Sequence, residues 1–470
     1  MKTKLLCFAA AAATAAAFGA APKYVFLFIG DGMSVPQRMS ANEFSLKTRG
    51  TPLAMNDLPV SGFARSSSAN AFITDSAAAA TAIACGKKTN NGMLGVDPST
   101  NRLESVAEAA KRAGRKIGIM TTVTICHATP AGFYAHRESR GQSYRIGLDL
   151  VDSGFDYFCG SGLYGRENDK KDAQYRGDVF ELAKAAGYKI AFNKKDWLAL
   201  GPEGRTWGVF AVDGLDYAID RNPDQPTPAE MVAKAIERLD GDKGFFMMCE
   251  GGKIDYAGHG NDAAANLRDV LALDDAVKVA LGFLSKHPSE TLVIATGDHE
   301  TGGMSMGFGG TGFTFSPERL ADQTMSVGRF NDRVKKLFGE RKALLAFDDL
   351  KPLITEAFGF RFEGDPKKDV RVLKPAELKE LEAAFDHDVK LLKDGVKETT
   401  DYMAKLRYTL GNACRTVISH KSGLDWSSGG HTALPIHTTA KGVRAEAFSG
   451  FYENTEIGNR LKAMYAEELR

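Results

Sequence analysis

The chain alternates short apolar runs with amphipathic helical stretches, and that alternation limits it to an α/β fold with a mostly parallel central sheet flanked by helices on both faces. The apolar runs predict strands over Tyr24–Ile29, Lys116–Val123, Trp207–Val212, Gly244–Cys249, Leu292–Thr296 and Ile436–Lys441. Helices are predicted over Ser76–Ala84, Leu103–Arg112, Pro228–Leu239 and Ala263–Leu284, the last three with the apolar spacing of a helix laid on a sheet. From about 304 to 424 the text turns Gly-rich, then strongly charged and helical. This stretch reads either as an insertion or cap over the core or as a solvated helical face with no part in chemistry. Residues 307–312 match GxGxxG in form, but the Phe-Thr-Phe-Ser-Pro that follows cannot open the helix a nucleotide site requires.

Composition removes several classes of partner. With 60 Lys and Arg against 59 Asp and Glu the formal charge is +1, so no polyanion-binding surface is expected and nucleic acid is not a specific partner. Residues 1–21 place Lys2 and Lys4 before a Leu/Ala/Phe run and end in small residues, which predicts a signal peptide and export to the periplasm or medium. Residues 22–470 would then be the mature chain. The alternative, an uncleaved anchor, is disfavoured because the apolar run falls short of the ~20 residues a span needs. No later segment could cross a bilayer, so no membrane association is expected. Of the six cysteines, Cys7 lies in the leader, and the other five are scattered, without a CxxC pair. They read as buried thiols, with Cys159–Cys414 the one pairing to consider. Any metal must therefore be held by His, Asp and Glu.

Several predicted strands end in such residues: Asp31 after the first, His127 beyond the second, Glu250 and Asp298-His299 after two later ones. Ligand sites of open α/β sheets lie at the carboxyl ends of strands. Asp255 and His259 stand four apart, which puts carboxylate and imidazole on one helical face, and His431 follows a Ser-Gly-Gly stretch. Such a cysteine-free set suits zinc at catalytic sites and magnesium at an oxygen-rich one. His136, His287, His387, His420 and His437 lack this context. Ser76 precedes an alanine run, so it falls at a helix N-terminus, where free N–H groups favour an anion. Asp75 or Ser76 could equally be a simple helix cap.

Taken in order, Gly-Asp31-Gly-Met, Thr-Asp75-Ser76-Ala, His127-Ala-Thr129-Pro, the Glu250-to-His259 segment, Asp298-His299 and Gly-Gly-His431-Thr resemble the alkaline phosphatases over roughly 23–310 and 425–445. The resemblance implies a phosphomonoesterase with two Zn²⁺ and one Mg²⁺, commonly a homodimer exported from the cytoplasm, acting on small phosphate monoesters. It implies that Asp255, His259 and His431 hold one zinc. Asp31, Asp298 and His299 would hold the second, against the nucleophile Ser76. Asp31, Thr129 and Glu250 would hold magnesium. Arg140 would clamp phosphate, with Asp75 holding it. Two positions vary within the family. His127 stands where some members carry Asp, which makes the third site less anionic, and Tyr256 stands where others carry Lys, His or Trp at the phosphate. Relatives of the same superfamily remain alternatives, but a sulfatase needs x-Pro-x-Arg after its nucleophile, and diesterases of this kind use threonine and lack a Glu250 counterpart. A secreted metal- or phosphate-binding protein without turnover is the alternative from another class.

Overall fold

In the computed structural model, which describes residues 21–165, 172–341, 345–393 and 409–468, ten strands form one sheet. In chain order they are β1 (Tyr24–Gly30), β2 (Val60–Arg65), β3 (Lys116–Thr124), β4 (Tyr157–Ser161), β5 (Tyr188–Ala191), β6 (Arg205–Val209), β7 (Phe245–Gly251), β8 (Thr291–Gly297), β9 (Ile436–Gly442) and β10 (Gly450–Glu453). Their spatial order is β10-β2-β9-β8-β1-β7-β3-β4-β6-β5. Only β9 runs against its neighbours; every other pairing in this sheet is parallel. The predicted leader lies, except for Ala21, outside the described residues.

Burial of both faces explains the unbroken apolar strands. Along β1, Tyr24, Phe26 and Phe28 join one hydrophobic cluster while Val25, Leu27 and Ile29 join the other. The first cluster is closed by the helices Val35–Arg49, Pro228–Leu239 and Ala263–Leu284, the second by Ser76–Cys85, Val106–Arg112 and Thr455–Glu468. At ~1.5–3 kcal/mol per fully buried large apolar side chain, β1 is held in register from both sides. The predicted helix starting at Leu103 begins instead at Val106, because Ser105 caps it and Glu108 reaches back to the Ser105 amide. The strand predicted over Trp207–Val212 stops at Val209. The apolar runs do not predict β2, β4, β5 and β10; these are short, and β2 alternates exposed and buried residues around a glycine.

Between β8 and β9 the chain forms the helices Val327–Arg341, Phe347–Phe358, Pro375–Lys393 and Leu410–Ser422. Its two ends are pinned together by the antiparallel ribbon Met304–Met306 with Leu424–Trp426. Apolar residues of this segment, among them Leu320, Phe330, Ile354 and Val417, belong to the same cluster as Phe26 and Phe28. The 307–312 glycines form turns with no helix after them. The Cys159–Cys414 pairing is not formed: Cys85, Cys126, Cys159, Cys249 and Cys414 are all free and buried. Cys159 lies within β4 and Cys414 within the helix Leu410–Ser422, each packed as a small apolar side chain, and burial pushes the Cys159 thiol up to about 12. Among the described residues no helix is long and apolar enough to cross a membrane.

Candidate active site

Four adjacent parallel strands, β8-β1-β7-β3, end on one level, since Ile29 pairs with both Thr296 and Glu250, and Glu250 pairs in turn with Thr121. Neighbouring strands lie ~4.8 Å apart. Asp298 just after β8, Asp31 just after β1 and Glu250 near the end of β7 therefore converge without any long side chain having to reach. His127 and Thr129 follow β3 through the short helix Ala128–Ala131. His431 arrives from the approach to the reversed strand β9, where His431–Thr432 pairs with Glu300–Thr301. Gly32 turns the chain away from Asp31 at φ +71°, and a Cβ there would lie 2.9 Å from the Asp255 Cα, so only glycine fits.

Ser76 opens the helix Ser76–Cys85, and the choice between cap and nucleophile is divided between two residues. Asp75 is the N-cap, its Oδ1 accepting from the Ala78 amide at 3.0 Å while its Oδ2 accepts from Arg140 Nη1 at 3.1 Å. Ser76 Oγ is left for the site, 3.1 Å from His299 Nε2. That nitrogen lies 3.3 Å from Asp31 Oδ1 and 3.3 Å from Asp298 Oδ2. Asp298 Oδ1 is already occupied, accepting from the Gly32 and His299 amides at 3.0 and 2.8 Å.

Among the described residues three groups have potential ligand atoms within 4.8 Å of one another inside each group: Asp255, His259 and His431; Asp31, Asp255 and His299; and Asp31, His127 and Glu250. In the first, His259 Nε2 is 3.4 Å from Asp255 Oδ2 and 3.2 Å from His431 Nε2. In the third, His127 Nδ1 is 3.6 Å from both Asp31 Oδ2 and Glu250 Oε1, and Thr129 Oγ1 donates to Asp31 Oδ2 at 3.3 Å. The site thus brings together all the sequence-predicted residues, with Asp255 standing between two groups rather than in one. Tyr256 meets the His127 ring edge-on, centroids 5.8 Å apart, and the Lys253 ammonium lies 5.1 Å from the Tyr256 ring centre. The histidines set aside are used elsewhere: His136 on the Gly95 carbonyl, His437 on Ser61 and His420 on Asp425.

The imidazoles are oriented by contacts that reading for ligands missed. His431 and His259 donate Nδ1–H to the Thr74 and Gly429 carbonyls at 2.9 and 2.7 Å, which leaves Nε2 as the lone pair. Thr301 Oγ1 donates to Asp255 Oδ1 at 2.5 Å and lies 3.2 Å from His299 Nδ1, so it accepts from that ring and fixes the same tautomer. Thr121 donates to Glu250 Oε2. Thr301 follows Asp298-His299-Glu300 directly, and that adjacency is the only sequence signal it carries. Glu300 is buried but satisfied by Gln37, Thr432 and the Gly303 and Met304 amides, so it offers no ligand.

Crowded carboxylates make the site hungry for positive charge. Burial, then repulsion from Asp298, Asp255 and Glu250, pushes the Asp31 carboxyl well above its usual range. Burial and the Asp255 charge take Asp298 to about 8. Burial would also raise Asp255, but the His259 bond and charge, with His299 and His431, hold it below its ordinary value. Burial is the largest single influence on His259 and lowers it, but the bond to Asp255, the Asp255 charge and the Gly429 carbonyl together raise it to about 9. His299, buried and facing His431, is pushed well below 6.5 and is a neutral imidazole with its lone pair available. Among the described residues Asp31 Oδ1, His127 Nδ1 and Glu250 Oε1 are buried without a hydrogen-bond partner. Unmet groups of this kind cost ~1–3 kcal/mol each, and divalent cations would answer the two carboxylate oxygens separately, Asp31 Oδ1 on the His299 side and Glu250 Oε1 on the His127 side. The donor set therefore fits metal.

Comparison with known proteins agrees with this geometry. The sequence profile described as "Alkaline phosphatase" matches residues 22–466. Alkaline phosphatase 3 of Bacillus subtilis (strain 168) is 34% identical over 402 residues, covering 83% of this chain and 77% of that protein. The cold-active alkaline phosphatase of a psychrophilic Shewanella sp. superposes with a TM-score of 0.77 at 25% identity, over 94% of this chain and 99% of that one. A His→Asp variant of the alkaline phosphatase from the Antarctic bacterium TAB5, solved with Mg bound in its M3 site, superposes with a TM-score of 0.64 at 25% identity, over 95% of this chain and 99% of that one. Strand ends that converge on a metal-ready cluster beside a helix-borne serine, and a profile match over nearly the whole length, have one explanation: the chain is an enzyme of the metal-dependent alkaline phosphatase family.

Proposed function

We propose that the protein hydrolyses phosphate monoesters through a phosphoserine on Ser76, at a site for two Zn²⁺ and one Mg²⁺. The observation that carries this reading is the position of Ser76 Oγ, 3.1 Å from His299 Nε2 at the mouth of a helix whose cap, Asp75, grips Arg140. Asp255, His259 and His431 would hold one zinc, and Asp31, Asp298 and His299 the other. Asp31, Thr129 and Glu250 would hold magnesium, with His127 beside them; the TAB5 variant with Mg in its M3 site supports a third metal position in this fold. When bound, such ions supply Lewis-acid charge that lowers the pKa of a hydroxyl or water and stabilises developing negative charge.

The chain's own residues then do the following. Arg140, oriented by Asp75, holds two non-bridging oxygens of the dianion, with Tyr256 beside the phosphate. Ser76 Oγ attacks phosphorus as its proton leaves; the new Oγ–P bond forms, the ester P–O bond breaks, and the alcohol departs with a proton. Free N–H groups at the helix N-terminus favour the resulting phosphoserine dianion. Water attacks phosphorus from the side the alcohol left, the Oγ–P bond breaks, Ser76 regains a proton, and inorganic phosphate is released. Two in-line displacements retain configuration at phosphorus. We further propose that residues 1–21 direct export to the periplasm or medium, that 22–470 form one catalytic unit with 304–424 as its cap, and that the mature enzyme is a homodimer.

Trapping the phosphoenzyme at low pH tests the reading. Ser76→Ala should keep its metal and fold yet lose on the order of 10³ or more in kcat on p-nitrophenyl phosphate. Phosphate recovered on any residue other than Ser76 would overturn it.

A further inference from the structure

A cavity of about 900 Å³ is bounded by Tyr256 and His259 on the side of the active site and by Asn412, Arg415 and Trp426 on the other. We infer that this cavity is a subsite for a second anionic group, a carboxylate or phosphate, carried on the alcohol half of the substrate, and that Arg415 binds it. The inference rests on the monoesterase reading above.

The wall facing the active site from the 304–424 segment and the ribbon that closes it is built of donors without acceptors. Among the described residues Arg415 makes no hydrogen bond or ion pair, while the Asn412 Nδ2 and Trp426 Nε1 donors are buried with no partner. Asn412 is only 3% exposed, so its free amide is a feature of the interior. An arginine kept for structure behaves otherwise: Arg268 spends its guanidinium on the Ala264, Leu320 and Gln323 carbonyls. Among the described residues that line the cavity, the one acid is Asp262. Its oxygens are already committed, Oδ1 to the Ala265 amide and Gln323 Nε2 at 3.2 and 2.9 Å, Oδ2 to the Val327 amide at 2.8 Å. A planar guanidinium with its N–H groups unspent matches a carboxylate or phosphate bidentately.

Position assigns the group to the leaving alcohol. The phosphoryl group is claimed by Ser76 and Arg140, and in-line displacement sends the alcohol away from Ser76, toward the pocket of Asp255, His259 and His431. His259 is shared between that pocket and the cavity, and its Nδ1 donates to Gly429, which also lines the cavity.

The metal-loaded enzyme can be tested with isosteric substrates: 4-carbamoylphenyl phosphate, neutral on the alcohol, against 4-carboxyphenyl phosphate and 1,4-phenylene bisphosphate. The wild type should favour the anionic substrates by about tenfold or more in kcat/KM, chiefly through KM, and the larger gain identifies carboxylate or phosphate as the preferred group. Arg415→Ala should erase that preference while changing the neutral substrate less than about twofold, and Arg415→Lys should keep part of it. Should Arg415→Ala fail to fold, rising KCl on the wild type must erode the preference; a preference indifferent to salt overturns the subsite, as do equal losses on all substrates or no wild-type preference. No turnover of 4-carbamoylphenyl phosphate by the wild type would instead overturn the monoesterase reading itself.

Discussion

The pocket of Asp255, His259 and His431 and the pocket of Asp31, His127 and Glu250 lie side by side, share a sheet edge, and solve the same charge problem differently. In the first, a proton can stand in for a metal: His259, raised to about 9, neutralises Asp255 and donates toward His431. In the second the carboxylates are fully buried, and His127 Nδ1 and Glu250 Oε1 have no hydrogen-bond partner among the described residues. The histidines also point opposite ways. His259 and His431 give Nδ1–H to carbonyls and present Nε2, whereas the Nε2 of His127 accepts from Arg140 Nη2 at 3.1 Å, so its Nδ1 carries the hydrogen and turns an N–H toward the carboxylates. A protonated imidazole thus balances the carboxylate in one pocket, whereas the other sets two buried carboxylates side by side.

Removing metal should break this comparison most strongly. Chelation should abolish activity, with Zn²⁺ and Mg²⁺ together restoring it better than either alone; full recovery on Mg²⁺ alone would contradict the two-pocket division. The metal-free protein should also become pH-sensitive. Asp298 is raised from 3.8 to about 8 and His259 from 6.5 to about 9, so the stability each contributes is complete below the ordinary value and is lost as pH climbs through the raised one. Scanning calorimetry of chelated protein should give a Tm lower at pH 9 than at pH 6 by about 5 °C or more, a drop absent when metal is bound.

Arg140 links the His127 pocket to the nucleophile, touching His127 and Asp75 at once. A diester has one fewer free oxygen for its fork. Two charge-assisted bonds at ~1.5–3 kcal/mol each, reduced by solvent because Arg140 is a third exposed, amount to a loss on the order of 10²–10⁴ in kcat/KM for monoesters in Arg140→Ala. Assayed on p-nitrophenyl and bis-p-nitrophenyl phosphate, equal losses would show that Arg140 acts through folding instead.

Thr301→Val removes the hydroxyl that fixes both Asp255 and the His299 tautomer at nearly constant volume. Zinc affinity should fall ~10–100-fold in competition with a chelating dye, while magnesium binding stays unchanged; a matching loss of magnesium would mean the pockets are not separately held. The smallest effect is expected at His127→Asp, which adds a carboxylate to a hard-cation pocket and should tighten Mg²⁺ by about tenfold in equilibrium dialysis. Unaltered magnesium affinity would remove His127 from that pocket.

The residues alone carried much of this site. Asp255 and His259 are legible as a pair because four residues bring a helix back to the same face, and Asp31, Glu250 and Asp298 because each follows an apolar run that can only be a buried parallel strand. Pro228–Leu239 and Ala263–Leu284 are legible to the residue, since their ends coincide with the limits of the apolar period. β2 and β10 are not legible, for a strand that is half exposed takes its identity from its neighbours rather than from its own period.

What the sequence by itself determined is therefore local: which residues can ligate, which helices and strands carry them, and at which end of a strand each stands. Only the tertiary structure decided that His431 reaches His259 across 172 residues, that Asp255 stands between two pockets, and that Arg415 is left without a partner among the described residues beside them. Periodicity is encoded over a few residues and survives any arrangement of the elements. A ligand-to-ligand distance of 3–4 Å depends instead on strand order, on register and on the reversal of β9, and those are properties of the packed sheet.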